Sequence, residues 1–284
     1  MDEQHDSPGS AIAPAGAAVG HSTKRPSPEL SRRALITGAG LSIASAGVFA
    51  GAGETRYGDV ASARARADAA GVSEGSRSTS VRVLWRAETD RKVMALTFDD
   101  GPGDALTAGL LDVLRDKDVR ASFCVVGTNV QQHRDLIARQ VTGRHELLNH
   151  SWDHADLSLL DYAGVSAQLE RTDTLLAELT GARPAMIRPP FGRINGQVLQ
   201  HAAESRRSVL MWSIRFHEAD RDSAANVDDV MAGLRPGLIV LGHDFGPANR
   251  AVGIGAVPGI IDAARAKGYE FVTASEMLAL DATP

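Results

Sequence analysis

Two adjacent carboxylates, Asp99 and Asp100, close the apolar run Met94-Ala95-Leu96-Thr97-Phe98 and are followed at once by Gly101-Pro102. Like charges this close repel and raise each other's pKa unless a cation or a metal lies between them. Asp-Gly-Pro is also ordinary turn chemistry, so the pair needs partners before it reads as a site. One partner cluster is His150-Ser151-Trp152-Asp153-His154, with two histidines four positions apart. On a helical turn both imidazoles would project to one side and reach one ion. Two neutral imidazoles and one carboxylate form a usual catalytic zinc set, which leaves a coordination position for water. Two more polar clusters end apolar runs, Arg188-Pro189-Pro190-Phe191-Gly192 and Leu241-Gly242-His243-Asp244.

To meet, these clusters need a scaffold that ends several strands on one rim. From Val81 onward short β-rich runs alternate with amphipathic segments, which predicts an α/β fold with a mostly parallel sheet. The strand candidates are Val93–Phe98, Ala121–Val126, Ala185–Arg188, Ser208–Ser213, Leu238–Gly242 and Tyr269–Val272. The helix candidates between them are Leu106–Asp116, Val130–Gln140, Tyr162–Leu179, Gly196–Glu204, Asn226–Leu234 and Val257–Ala266. Val165, Leu169, Leu176 and Leu179 recur near helical spacing, and Thr180-Gly181 supplies the stop. In such folds reactive side chains gather at the carboxyl ends of the strands, where the Asp pair, Arg188 and His243 all fall.

The chain has 284 residues, 43% of them hydrophobic, enough to bury a substantial core. Its formal net charge of -5 and the lack of a Lys/Arg block argue against nucleic acid as a partner. The only cysteine, Cys124, sits in an apolar run, so no intrachain disulfide can form. Residues 1–30 are rich in Gly, Ala, Ser and Pro without periodicity and read as a disordered lead. Ser31-Arg32-Arg33 then precedes an uncharged stretch to Gly53, with Ala50-Gly51-Ala52 as a small-x-small cleavage site. That layout is an export signal of twin-arginine type and predicts an extracellular or cell-surface protein. A spanning helix wants about 20 strongly apolar residues. This stretch carries five glycines from Gly38 to Gly53, so no stable membrane anchor is expected after cleavage. Residues 54–80 read as a linker, and 81–284 as the catalytic domain.

Taken in order, Thr97-Phe98-Asp99-Asp100-Gly101-Pro102, Asn149-His150-Ser151-Trp152-Asp153-His154, Arg188-Pro189-Pro190-Phe191-Gly192 and Ile239-Val240-Leu241-Gly242-His243-Asp244 resemble the motifs of the polysaccharide deacetylase family. This family is also called the NodB-homology domain or carbohydrate esterase family 4. The resemblance implies a distorted (β/α) barrel with about seven mostly parallel strands. It makes Asp100, His150 and His154 the ligands of a divalent metal, zinc above all, with cobalt or manganese also accepted by such a set. It makes Asp99 the general base, Arg188 its holder and His243 the general acid. It further implies that the backbone N–H of Phe191 stabilises the oxyanion, and that Pro190, Phe191 and Leu241 contact substrate. The partner would be a glycan.

Two motifs depart from the family pattern. Where the fourth motif carries Asp-x-x-Asp-Trp, this chain has Arg215-Phe216-His217-Glu218-Ala219, leaving Glu218 or Asp220 to pair with His243. Phe191 stands where Tyr is common. Trp212 reads as core, and His133, His145, His201 and His217 read as ordinary surface or helix residues. The implied function is N-deacetylation of peptidoglycan or a chitin-type glycan. O-deacetylation of acetyl-xylan or an exopolysaccharide is the alternative, as is a catalytically weak or silent glycan-binding role.

Overall fold

The computed structural model describes residues 80–281; the lead, the export signal and nearly all of the linker expected before Val81 lie outside the described residues. Nine strands form one sheet: β1 (Val83–Leu84), β2 (Val93–Asp99), β3 (Ser122–Val125), β4 (Glu146–Asn149), β5 (Met186–Ile187), β6 (Ser208–Leu210), β7 (Ile214–Arg215), β8 (Leu238–His243) and β9 (Glu270–Phe271). Their order is β1-β6-β5-β4-β3-β2-β8-β7, with β9 beside the start of β2, and every pairing is parallel. Parallel neighbours need crossovers, which seven of the eight α-helices among the described residues supply, the eighth following the last strand. The helices are α1 (Asp104–Asp116), α2 (Gly127–Gln132), α3 (Arg134–Thr142), α4 (Tyr162–Thr180), α5 (Gly196–Glu204), α6 (Ser223–Ala232), α7 (Arg250–Ala266) and α8 (Ala274–Asp281).

Strand alternation sorts the core into two layers. On one face of the sheet Met94, Leu96 and Phe98 of β2 and Leu238 and Val240 of β8 pack against α1 and α7 through Leu110, Leu114, Val257 and Ile261. On the other, Val93, Ala95, Cys124, Leu148, Met186, Leu210 and Ile239 are closed off by Ala274 and Met277 of α8. Continued along β2 and β8, that second face presents Thr97 and Asp99 beside Leu241 and His243. Asp99 pairs in register with His243, and Thr97 with Leu241. The layer that buries the small inner core therefore delivers the polar side chains to its rim.

Six of the nine strands were legible as apolar runs. The other three are β1 and β7, two-residue strands at the sheet edges, and β4, which begins on a glutamate. The expected helix over Val130–Gln140 is two helices, because His133 leaves helical geometry at φ -124, ψ 51. α4 follows the expectation closely: Asp161 caps it by accepting from the Gly164 N–H at 2.8 Å, and Gly181 ends it at φ 78. α7 starts seven residues before the expected Val257. His201, read as an ordinary residue, is buried on α5 with its ring near Tyr162 and Arg207. Arg207 in turn pairs with the buried Asp173 at 2.7 Å.

Candidate metal centre and catalytic rim

The histidine pair is not on a helical turn, as its spacing suggested. It lies in the loop after β4, in which Ser151 and His154 both adopt positive φ, 69 and 62. Hydrogen bonds from several neighbouring elements hold that loop. The His150 N–H donates to the Val125 carbonyl at 3.0 Å and the Ser151 N–H to Asn149 Oδ1 at 2.8 Å. The Trp152 N–H donates to Gln168 Oε1 at 2.9 Å. The first amides of α2, Gly127 and Thr128, donate to the carbonyls of Ser151 and Trp152 at 3.0 and 2.8 Å. Helix-start amides that would otherwise lack partners are thus spent on fixing the loop. A side chain on Gly127 would collide with Trp152.

Asp100 is turned out of β2 by a positive φ of 77, and its carbonyl accepts from Asn129 Nδ2 at 2.7 Å. Its Oδ1 lies 3.5 Å from His150 Nε2 and 3.2 Å from His154 Nε2. The three ligand-type atoms fall within 4.8 Å of one another. His150 Nδ1 sits 2.6 Å from the Arg188 carbonyl, an acceptor only, so Nδ1 carries the hydrogen and Nε2 offers its lone pair inward. Burial disfavours ionised Asp100, but the neighbouring His150 and His154 outweigh it and hold the carboxyl far below its usual range. Burial likewise opposes a charged His150, yet Asp99 and Asp100 raise its pKa overall. A cluster that draws positive charge this strongly, with a fixed inward lone pair, fits a divalent cation held by Asp100, His150 and His154.

Asp99, buried at the end of β2, splits its two oxygens. Oδ1 takes Arg188 Nη1 at 2.6 Å, while Oδ2 faces the ligand cluster, 3.7 Å from His150 Nε2. Arg188 is fully buried, and its other donors reach the carbonyls of Met211 at 3.0 Å and Leu210 at 3.4 Å. Burial works against its charge, and Asp99 more than restores it. Pro190 and Phe191 lie in a tight turn above Arg188. Phe191 is held at φ 60, and its exposed ring meets His154 edge-on at 4.7 Å. Leu241 is buried two residues before His243. Asp100, Ser151, His154 and Phe191 thus all hold left-handed backbone without being glycine, at a cost of about 1–2 kcal/mol each. Such strain concentrates where surrounding contacts over-determine a site.

Of the two acids offered for His243, the fold brings up Glu218. Its Oε2 is 3.1 Å from His243 Nδ1, whereas Asp220 faces His217 at 4.0 Å. Arg250 carries no motif that marks it as a site residue. Its guanidinium pairs with Glu218, comes within 2.6 Å of His243 Nδ1 and lies 3.8 Å from Asp100 Oδ2. With Nδ1 so engaged, Nε2 is the ring nitrogen left to the rim. Asp244 was also unassigned. It accepts from the Gly101 N–H at 3.2 Å and Thr107 Oγ1 at 2.7 Å, clamping the turn behind Asp100. Burial, with the charges of Asp100 and Asp99 adding to it against the Thr107 hydrogen bond, pushes its carboxyl up to about 7.

The fold and rim define an α/β protein with a curled parallel sheet and a two-histidine, one-aspartate metal-site candidate beside a buried Asp-Arg pair. Comparison with known proteins places it further. The family model described as polysaccharide deacetylase matches residues 86–207. The chain is 34% identical over 212 residues to the peptidoglycan-N-acetylglucosamine deacetylase PgdA of Listeria monocytogenes, covering 74% of this chain and 44% of that protein. It is 32% identical over 206 residues to a peptidoglycan-N-acetylglucosamine deacetylase of Bacillus cereus, covering 69% of this chain and 92% of that one. The crystal structure of the Bc1960 peptidoglycan N-acetylglucosamine deacetylase superposes with a TM-score of 0.66 at 27% identity, over 68% of this chain and 91% of that one. The chain belongs to the polysaccharide deacetylase family. It spans less than half the length of the Listeria relative.

Proposed function

We propose that this chain is an exported, metal-dependent deacetylase that hydrolyses the acetamide of an N-acetylated glycan to acetate and a free amine. The observation that carries the reading is the division of labour at Asp99: one oxygen is locked to Arg188 and the other is aimed at the ligand cluster. Peptidoglycan N-deacetylation by the Listeria and Bacillus relatives supports an N-acetylated substrate.

A divalent cation held by Asp100, His150 and His154, zinc by preference of the donor set, would acidify water and polarise the acetyl carbonyl. The chain supplies the rest. Asp99 Oδ2 receives the water proton, and the Arg188 ion pair keeps that carboxylate oriented. The Phe191 N–H stabilises negative charge on the carbonyl oxygen. Pro190, Phe191 and Leu241 shape the acetyl pocket. His243 hands a proton from Nε2 to the departing nitrogen, with its Nδ1–H donated to Glu218, which Arg250 in turn holds. Export rests on the Arg32-Arg33 segment, which lies outside the described residues.

Acetate release from peptidoglycan, chitin oligomers and acetyl-xylan, measured for the wild type and Asp99→Asn, tests the proposal. Release from the N-acetylated substrates, with a loss of at least about 100-fold in the variant, is expected. Release from acetyl-xylan alone would move the chain to O-deacetylation, and none from any substrate would defeat the enzyme reading.

A further inference from the structure

The curled sheet does not close. Its edge strands are β1 and β7, and between the segments that leave β1 and enter β7 lies a cleft of about 610 Å3. That is within the span of roughly 300–1,000 Å3 typical of small-ligand sites. Tryptophans and arginines dominate its lining, with Ser213, Ile214 and His217 between them. Trp85 and Trp212 present their rings 6.5 Å apart at 53°, and Trp85 is 52% exposed although it directly follows a strand. Arg86, Arg215 and Arg235 supply cationic walls, and no acidic side chain lines the cleft. Arg86 is engaged by Glu88 at 2.5 Å, whereas Arg215 and Arg235 are exposed and have no ion-pair partner among the described residues. A positive, aromatic cleft stands out on a chain whose net charge is -5.

The cleft is braced and connected to the catalytic rim. Ser213 Oγ donates to the Trp85 carbonyl at 2.8 Å, fixing that tryptophan against the segment that bears Trp212. Trp212 runs under the Phe191 turn, where a Cβ on Gly192 would come within 2.6 Å of its ring. Arg188, which holds Asp99, lies 5.8 Å from the same ring. One indole is therefore shared between the reaction centre and the cleft. Arg215 occupies the position at which the fourth motif departs from the family pattern, and it faces this cleft.

We propose that the cleft is a subsite for a carboxylate-bearing sugar unit of the glycan, resting on the deacetylase reading above. The faces of Trp85 and Trp212 take the apolar side of the pyranose ring, and Arg215 and Arg235 take its carboxylate. The substrate class is then an acidic N-acetylated glycan, such as a strand with lactyl-linked carboxylates, in preference to neutral chitin-type oligomers.

Binding separates the two claims, because it does not require turnover. Titrations of the full chain would compare peptidoglycan-type oligosaccharides carrying free lactyl carboxylates with neutral N-acetylglucosamine oligomers of equal length. The acidic ligand is expected to bind about tenfold tighter, with the preference falling as salt is raised. Arg215→Ala/Arg235→Ala should erase the preference while leaving neutral binding within about twofold, and Trp85→Ala should weaken both. Equal affinity for the two ligands, or a preference that survives the double arginine variant, overturns the subsite. Failure to release acetate from either ligand, with the binding pattern intact, would instead defeat the deacetylase reading and leave the subsite standing.

Discussion

Arg188→Met is the substitution whose effect the structure fixes most closely. Methionine fills much of the same space and removes the cation. Three acceptors lose their donor: Asp99 Oδ1, held at 2.6 Å, and the carbonyls of Met211 and Leu210, held at 3.0 and 3.4 Å. Asp99 is 3% exposed and Arg188 is 0% exposed, so water cannot stand in. Breaking a buried ion pair from one side costs about 3–5 kcal/mol. Each stranded carbonyl adds up to about 1–3 kcal/mol, the longer Leu210 contact least. We expect Arg188→Met to lose about 4–6 kcal/mol, a large share of the roughly 5–15 kcal/mol a domain has. Asp99→Asn/Arg188→Met strands no charge, so it should lose less than the sum of the single losses, with a coupling of about 2–3 kcal/mol. Urea unfolding of the wild type and the three variants measures all four corners. A loss under about 1 kcal/mol for Arg188→Met, or strict additivity, would refute the buried-pair argument.

The remaining predictions concern pH and backbone. His145 is half-buried with its ring edge-on to Phe123, and its Nδ1 accepts from the Ala121 N–H at 3.2 Å. Burial, helped by Arg120, lowers its pKa from 6.5 to about 4, so the unfolded chain takes up the proton first as pH falls through that window. Stability from this group is present above 6.5 and lost toward 4. Relative to His145→Gln, the wild type should lose about 1–2 kcal/mol between neutral pH and pH about 4 after allowance for solvent, and parallel pH profiles would contradict this. Gly192→Ala combines a φ of 66 with a Cβ 2.6 Å from Trp212. It should cost about 2–4 kcal/mol in thermal or urea unfolding, and an unchanged midpoint would show that the turn and the indole move apart freely.

Much of the site was readable because the inner face of the sheet is built by strict alternation. Asp99, Arg188 and His243 each follow an apolar run, and a parallel sheet places such run-ends on one rim. The histidine pair was found by its spacing, but for the wrong local reason. A loop with left-handed residues at Ser151 and His154 does what a helical turn was expected to do, and nothing in the residue types marks those φ values. Arg250 was hidden because Gly253, Gly255, Pro258 and Gly259 blur the helical pattern of α7, which made the helix seem to start after it. Those small residues have a packing cause: a Cβ on Gly253 would lie 2.7 Å from Phe216 and 2.9 Å from Glu218. Glu218 against Asp220 could not be decided from spacing, since the choice depends on where the segment after β7 turns inward. His201 and Asp244 were missed because burial of a single polar residue leaves no periodic trace.

In the proposed mechanism Asp99 acts beside a cation held by Asp100, His150 and His154. Acetate release from an N-acetylated glycan, followed through chelation and re-addition of zinc, tests it most directly. Activity should vanish on chelation and return with about one equivalent of zinc per chain. His150→Ala should neither retain the metal nor recover activity. Full activity after complete removal of metal, or recovery in His150→Ala, would contradict the account.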